Sequence, residues 1–307
     1  MKMPEAEILF KEDCELRNYS KNTISRYMGN IRRLREVVEN SLDNLDVEQI
    51  RYPMLRAFMV AMKKDGYGVE SLNSWVTTLR TFFRFLEEEE VIPENVASKL
   101  RYGKAPTVFA KVLTTDEVLR LLSCRVPRSS DFETCRDQLL LELFYATGTR
   151  ISEVVNLLWS NVDFQYRRIT VVGKGNKERM IPYTDRVAEA FAAYREEWKR
   201  HIGEEFTGGV FSSRKAHTGR NKMCVRIARR ILKERVEAAG LDKRVYPHLL
   251  RHTFATHLLE NGAHMISVQK LMGHKNYQST LRYEHVAMKN VYEDYAKCAP
   301  NPTAKSW

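Results

Sequence analysis

Between Ser20 and Leu86 apolar residues recur at the helical period, and this period limits the fold of the first third of the chain more than any other feature. In SKNTISRYMGNIRRLREVVE, Ile24, Tyr27, Met28, Ile31, Leu34 and Val38 share one stripe at about 100° per residue, so a helix capped by Ser20 runs to about Glu39. A second helix starts near Pro53 and stops by Gly66, with Leu55, Phe58, Met59 and Met62 as its apolar residues. A third, from about Glu70 to Leu86, brings Leu72, Trp75, Val76, Leu79, Phe82, Phe83 and Leu86 together. A helical first domain follows.

The polar faces of these helices carry a second message. Opposite the first stripe stand Ser25, Arg26, Gly29, Arg32 and Arg33, and opposite the third stand Asn73, Ser74, Thr77, Arg80, Thr81 and Arg84. A solvated face ordinarily mixes Glu with Lys. Short hydrogen-bonding side chains around arginines suit phosphates and base edges, so we expect these faces to meet DNA. The acidic run Glu87 to Glu90 opposes the dipole at a helix C-terminus, and nothing in the sequence accounts for it.

Residues Ser98 to Lys111 lack periodicity, contain Gly103 and Pro106, and read as a linker. Thr114 with Glu117 forms a capping box that opens a new helix, placing a domain boundary near residue 106. The expected domains are therefore 1–105 and 106–307. The chain of 307 residues has 50 Lys and Arg against 39 Asp and Glu, a net charge of +11. The first domain holds 17 basic and 17 acidic residues and the second 33 and 22, so the whole surplus lies in the second, where an acidic partner is expected.

No window approaches the roughly 20 apolar residues of a membrane span, and the start lacks an apolar signal core. Five cysteines, scattered and never in a CxxC pair, argue for reduced thiols in a cytoplasm and against a zinc site or disulfide frame.

In the second domain a buried helix, DQLLLELFYATG, ends at Gly148, and another starts at Arg150, which shares a face with Glu153 three residues on. Ile169 to Val172 and Arg179 to Ile181 form a strand pair whose glycine-containing turn pushes Lys174 outward. A basic helix carries Arg226, Arg229, Arg230, Lys233 and Arg235, most of them read as solvated. Further on, Pro247 opens a helix and Gly262 stops it, with His248 and Arg251 on one side and Leu250, Phe254 and Leu258 on the buried side. A helix from about Met265 to Met272 ends at Gly273, His274 follows it, and Tyr283 lies nine residues beyond. Singly, each of these polar residues has an ordinary structural explanation.

Together they do not. The ordered series Arg150, Lys174, His248, Arg251, His274 and Tyr283, within ATGTRISEVVNL, VVGKGNKERMIP, HLLRHTFATHLL and VQKLMGHKNYQSTLRYEHV, resembles the tyrosine recombinases of the phage integrase family. YSKNTISRY and LRTFFRFL extend the match into the first domain, so it covers nearly the whole chain. It is most similar to the compact Xer-type members or a small mobile-element integrase. Met272, where the family more often has Leu, and His264, where Asp or Asn is usual, are minor departures.

The resemblance implies a mainly α fold: an N-terminal four-helix, SAM-like core-binding domain, and a mixed α/β catalytic domain of the DNA breaking-rejoining type with a small antiparallel sheet. It implies Tyr283 as nucleophile, Arg150 and Arg251 as phosphate clamps, His274 as a further donor, His248 as an aid to proton removal, Lys174 as general acid and Glu153 as a supporting carboxylate. No cofactor and no metal are expected. The implied partners are double-stranded DNA with an inverted-repeat recombination site and three further protomers, of the same chain or a paralogue, with accessory or directionality proteins. The two domains would clamp the duplex, and the tail VAMKNVYEDYAKCA, with Val286, Val291, Tyr292 and Tyr295 on one stripe, would dock on a neighbouring protomer. No membrane is involved, and the site of action is the cytoplasm at the nucleoid. A type IB topoisomerase has a similar residue set but fits the lysine and tyrosine motifs less well. A non-catalytic DNA-binding regulator is opposed by the complete catalytic set.

Overall fold

The computed structural model describes residues 1–39, 46–104, 112–128, 130–173, 177–203, 205–211, 223–273 and 294–299. Contacts divide the chain into two compact units, 1–109 and 110–307. The first holds four helices: α1 (Met3–Leu16), α2 (Lys21–Glu39), α3 (Tyr52–Lys64) and α4 (Val69–Glu88). The Ser20 hydroxyl accepts the Thr23 N–H at 3.2 Å and so caps α2, as its sequence predicts. Gly66 ends the α3 segment at φ +87°, a conformation glycine takes without strain.

Periodicity gave three of these helices; α1 is the fourth that the resemblance implies. Met3, Ala6, Phe10 and Cys14 are buried at helical spacing. Phe10 meets the Phe82 ring edge-on at 5.2 Å, which joins α1 to α4 and completes a core with Ile31, Leu34, Phe58 and Trp75. The acidic run after α4 also finds its reason. Glu87 accepts the Asn95 N–H at 3.1 Å, and Glu88 receives Arg17 from the end of α1 at 2.8 Å.

The second unit begins with α5 (Thr115–Ser123), whose capping box is made in both directions: Glu117 N–H to Thr114 Oγ1 at 3.2 Å and Thr114 N–H to Glu117 Oε2 at 2.7 Å. α6 (Asp131–Thr147) is buried nearly all round, as a helix reading DQLLLELFYAT must be. α7 (Ile151–Val155) is short. Three antiparallel strands follow, β1 (Val162–Asp163), β2 (Arg168–Val172) and β3 (Glu178–Pro182), in the order β1-β2-β3 with Ile169 opposite Ile181. The sequence showed two of the three.

Beyond the sheet lie α8 (Asp185–His201), α9 (Val225–Ala238), α10 (Pro247–Glu260) and α11 (Met265–Met272). α8 packs along α6 and supplies Phe191, Tyr194 and Trp198 to an aromatic cluster around Trp159. On α9, Arg230 and Lys233 pair with Glu234 and Glu237 one turn on, which agrees with a solvated face. Arg235 differs: it is buried and donates to Gln138 of α6 at 3.1 Å. No helix among the described residues is long and apolar enough to cross a membrane.

Candidate active site

Helix ends build the site. α6 stops at Gly148, which takes the left-handed conformation at φ +56°, and a Cβ there would run into the Phe254 ring of α10. The chain can therefore turn within two residues and present Arg150 as the N-cap of α7. Glu153 holds this arginine at both ends, accepting its backbone N–H at 2.8 Å and its Nη1 at 2.9 Å. On α10 the side chain of Arg251 is buried and points back to the same corner. It donates Nη1 to the Gly148 carbonyl at 2.7 Å and Nη2 to the Met272 carbonyl at the end of α11.

The electrostatics are one-sided. Burial pulls the Arg251 pKa down to about 10, and the nearby Arg150 and Arg179 guanidiniums pull the same way against Glu153 alone. Burial would raise Glu153, but hydrogen bonds from Arg179 and Arg150 hold it below the usual carboxylate range. His248, one turn before Arg251 and exposed, is lowered by partial burial first and then by Arg251, His252, Arg150 and Arg229. Three guanidiniums thus face one carboxylate, and the corner carries positive charge that no described residue neutralises. Two-pronged donors with a fixed charge are what phosphate oxygens require.

Of the residues expected here, Arg150, Glu153, His248 and Arg251 come together. Lys174, His274 and Tyr283 lie outside the described residues, as do Val286, Val291 and Tyr292 of the tail. Arg179 of β3, read in the sequence only as the start of a strand, is a further member of the site. It clasps Glu153 with Nη1 at 3.0 Å and Nη2 at 2.7 Å, and its Nε reaches the Leu271 carbonyl at 2.9 Å. Strand alternation carried the signal: Arg179 sits on the same face as buried Ile181, and a charge turned towards a core must be paired.

Part of the tail is described. In the single chain, residues 294–298 form a helical turn on their own domain, with Tyr295 buried and its hydroxyl donated to the Ala146 carbonyl at 2.8 Å. Asp294 accepts from Ser267 of α11 at 2.6 Å.

In the first unit the expected DNA face divides in two. Arg26, Arg32 and Arg84 are exposed, Arg26 lying 5.5 Å from the Tyr27 ring centroid, and Ser74 is half-buried. Arg33 is paired with Glu36 at 3.2 Å and Asp65 at 3.8 Å. Asn73, Thr77 and Arg80 instead serve their own chain. Asn73 exchanges two hydrogen bonds with the Gly103 backbone, at 3.0 and 2.7 Å, and Thr77 lies 3.4 Å from the Tyr102 hydroxyl. Arg80 donates to the Ser98 and Leu100 carbonyls and lies 5.2 Å from the Tyr102 ring centroid. The segment expected to be a linker from Ser98 is therefore bound to α4 as far as Gly103. An aperiodic stretch cannot satisfy its own backbone groups, and these side chains do so.

Fold and site together define a member of the phage integrase family: the model of that family matches residues 111–290, and the model of the phage integrase N-terminal SAM-like domain matches residues 9–90. The chain belongs to this family and is a tyrosine site-specific recombinase. It is 32% identical over 287 residues to the tyrosine recombinase XerC of Listeria welshimeri, covering 92% of this chain and 93% of that one. The fold is also that of lambda integrase: a fragment dimer bound to a COC′ core site matches with a TM-score of 0.67 at 22% identity over 90% of this chain and 96% of that one. A lambda integrase tetramer bound to a Holliday junction matches with a TM-score of 0.67 at 21% identity, covering 91% and 79%.

Proposed function

We propose that Arg150, Lys174, His248, Arg251, His274 and Tyr283, supported by Glu153, form the active site that breaks and rejoins DNA. The observation that supports this most is the guanidinium surplus among the described residues around Arg251, where Arg150, Arg179 and Arg251 face Glu153. A scissile phosphate suits that surplus, because its five-coordinate transition state carries more negative charge than the diester.

The Tyr283 phenol oxygen attacks the phosphorus and its proton passes to His248, whose depressed pKa keeps it neutral and able to accept one. Arg150 and Arg251 hold the non-bridging oxygens, with His274 as a further donor. The bond to the 5′ oxygen breaks, and Lys174 supplies the proton that oxygen needs to depart. A 3′-phosphotyrosyl ester and a 5′ hydroxyl result. One ester replaces another, so the 5′ hydroxyl of a partner duplex reverses the step without an external energy source.

Residues 1–105 act as the core-binding domain and 106–307 as the catalytic domain, closing on a duplex that carries inverted half-sites. Four protomers, of this chain or with a paralogue, pass two duplexes through a Holliday junction, in the cytoplasm at the nucleoid. The tail containing Tyr295 links neighbours by entering the next protomer's copy of the socket it fills on its own domain.

The test is a suicide duplex, selected by the protein from random sequences and nicked beside the scissile phosphate. The full chain is expected to form a covalent adduct on it, and Tyr283→Phe to bind it without forming one. Tight binding with no adduct in the unaltered chain would point to a regulator, and relaxation of a plasmid lacking the site to a topoisomerase.

A further inference from the structure

Two glycines immediately precede two of the proposed catalytic residues in the chain: Gly173 before Lys174 and Gly273 before His274. Both pack on one side chain. A Cβ on Gly173 would stand 3.4 Å from Nη1 of Arg179 and 3.6 Å from Oε1 of Glu153. A Cβ on Gly273 would stand 3.2 Å from Cζ, Nε and Nη1 of the same arginine. Gly273 is left-handed at φ +63°, so the end of α11 turns directly over the guanidinium. Three of the five donors of that guanidinium go to Glu153, which holds Arg150, and to the Leu271 carbonyl, which lies two residues before Gly273.

We propose that Arg179 is the positioning residue of this active site: its guanidinium clasps Glu153 and fills the space between Gly173 and Gly273, fixing the segments that lead to Lys174 and His274 against the helix that carries Arg150. The inference rests on the roles given above to those three residues. Arg179 does not touch the phosphate in this scheme; it acts through its neighbours.

Chemistry explains why the residue must be arginine. Three hydrogen bonds leave in one plane towards a carboxylate and a carbonyl, while the guanidinium packs against backbone that has no Cβ. Lysine offers a point charge without the plane or the fork. Consecutive Cα atoms are about 3.8 Å apart, so a shift of either glycine passes almost directly to the catalytic residue after it. Misplacement by about 1 Å can cost about a hundredfold in rate.

A general acid gives the test its selectivity. Replacing the bridging 5′ oxygen of the scissile phosphate by sulfur makes the departing group a thiolate, which leaves with its electron pair and needs no proton. A defect in placing Lys174 is then relieved, whereas a defect in holding the phosphate is not. On suicide duplexes carrying the selected site, Arg179→Met is expected to bind within about threefold of the unaltered chain and to form adduct on the oxygen substrate about 100-fold more slowly. On the sulfur substrate it should regain at least about tenfold of that loss, with Arg179→Lys in between and Arg150→Ala slow on both.

Adduct formation by Arg179→Met within about threefold of the unaltered chain on the oxygen substrate would overturn the proposal, as would equal slowing on both substrates. If the unaltered chain forms no Tyr283-dependent adduct on either substrate, the active-site reading itself fails, and this inference falls with it. Should Arg179→Met not fold, Arg179→Lys keeps the charge beside Glu153 and carries the same comparison.

Discussion

Arg251 donates Nη1 to the Gly148 carbonyl at 2.7 Å, so the residue proposed to grip the scissile phosphate also ties α10 to the left-handed turn that ends α6. Part of its donor set is spent on structure before any ligand arrives. A second bond, from Nη2 to the Met272 carbonyl, anchors the end of α11 to the same side chain.

Gly148→Ala is expected to destabilise the catalytic domain by about 2–4 kcal/mol, combining the left-handed backbone cost with overlap on Phe254. Urea denaturation of the full chain measures it. A midpoint equal to that of the unaltered chain would mean that α6 can end without the left-handed turn.

Arg251→Lys keeps the charge but has one nitrogen where two carbonyls and a phosphate await donors. We expect a stability loss of about 1–3 kcal/mol from the untied carbonyls. Covalent adduct should form at least about 100-fold more slowly on the suicide duplex, measured in a single turnover. Normal adduct formation by this variant would show that charge alone suffices at this position.

The sequence made the helices legible because burial imposes a period. The stripes through Ile24 and Leu72 and the fully apolar α6 needed no distant partner to be recognised. Periodicity did not show α1 because MPEAEILFKEDCEL mixes five acidic residues among Met3, Ala6, Phe10 and Cys14, so its stripe is thin. Arg80 illustrates a different limit. Its period placed it correctly on the polar face of α4, but the occupant of that face comes from residues 98–103, a stretch without a pattern. Arg150, Glu153 and Arg251 converge through the turn at Gly148, where spacing along the chain says nothing of direction. Resemblance to the integrases supplied the roles, and the structure added Arg179, which lies in the quoted motif VVGKGNKERMIP but was given no role there.

The divided face of the first unit separates two kinds of weakened binding. If exposed Arg32 and Arg84 each hold a phosphate, Arg32→Ala and Arg84→Ala should each lower DNA affinity and reduce the slope of log affinity against log salt by about one. Asn73→Ala should leave that slope unchanged and instead cost about 1–2 kcal/mol of stability, since its two bonds go to Gly103. Fluorescence anisotropy across a salt series separates the cases. An altered slope for Asn73→Ala would return that residue to the DNA contacts.

Acid should silence cleavage in a particular way. The pKa of His248 lies below the ordinary 6.5 because partial burial and the cations Arg251, His252, Arg150 and Arg229 disfavour its charged form. A proton acceptor works only when neutral, so its contribution is complete above its pKa and is lost as pH falls through it. At subsaturating DNA, where the rate reports groups of the free protein, adduct formation should hold steady from about pH 7.5 to 6.5 and fall about tenfold per unit only at lower pH. His248→Ala should be slower at neutral pH and lose this acid limb while still binding the duplex. A limb of unchanged position in His248→Ala would assign the titration to another group and leave Tyr283 in need of a different acceptor.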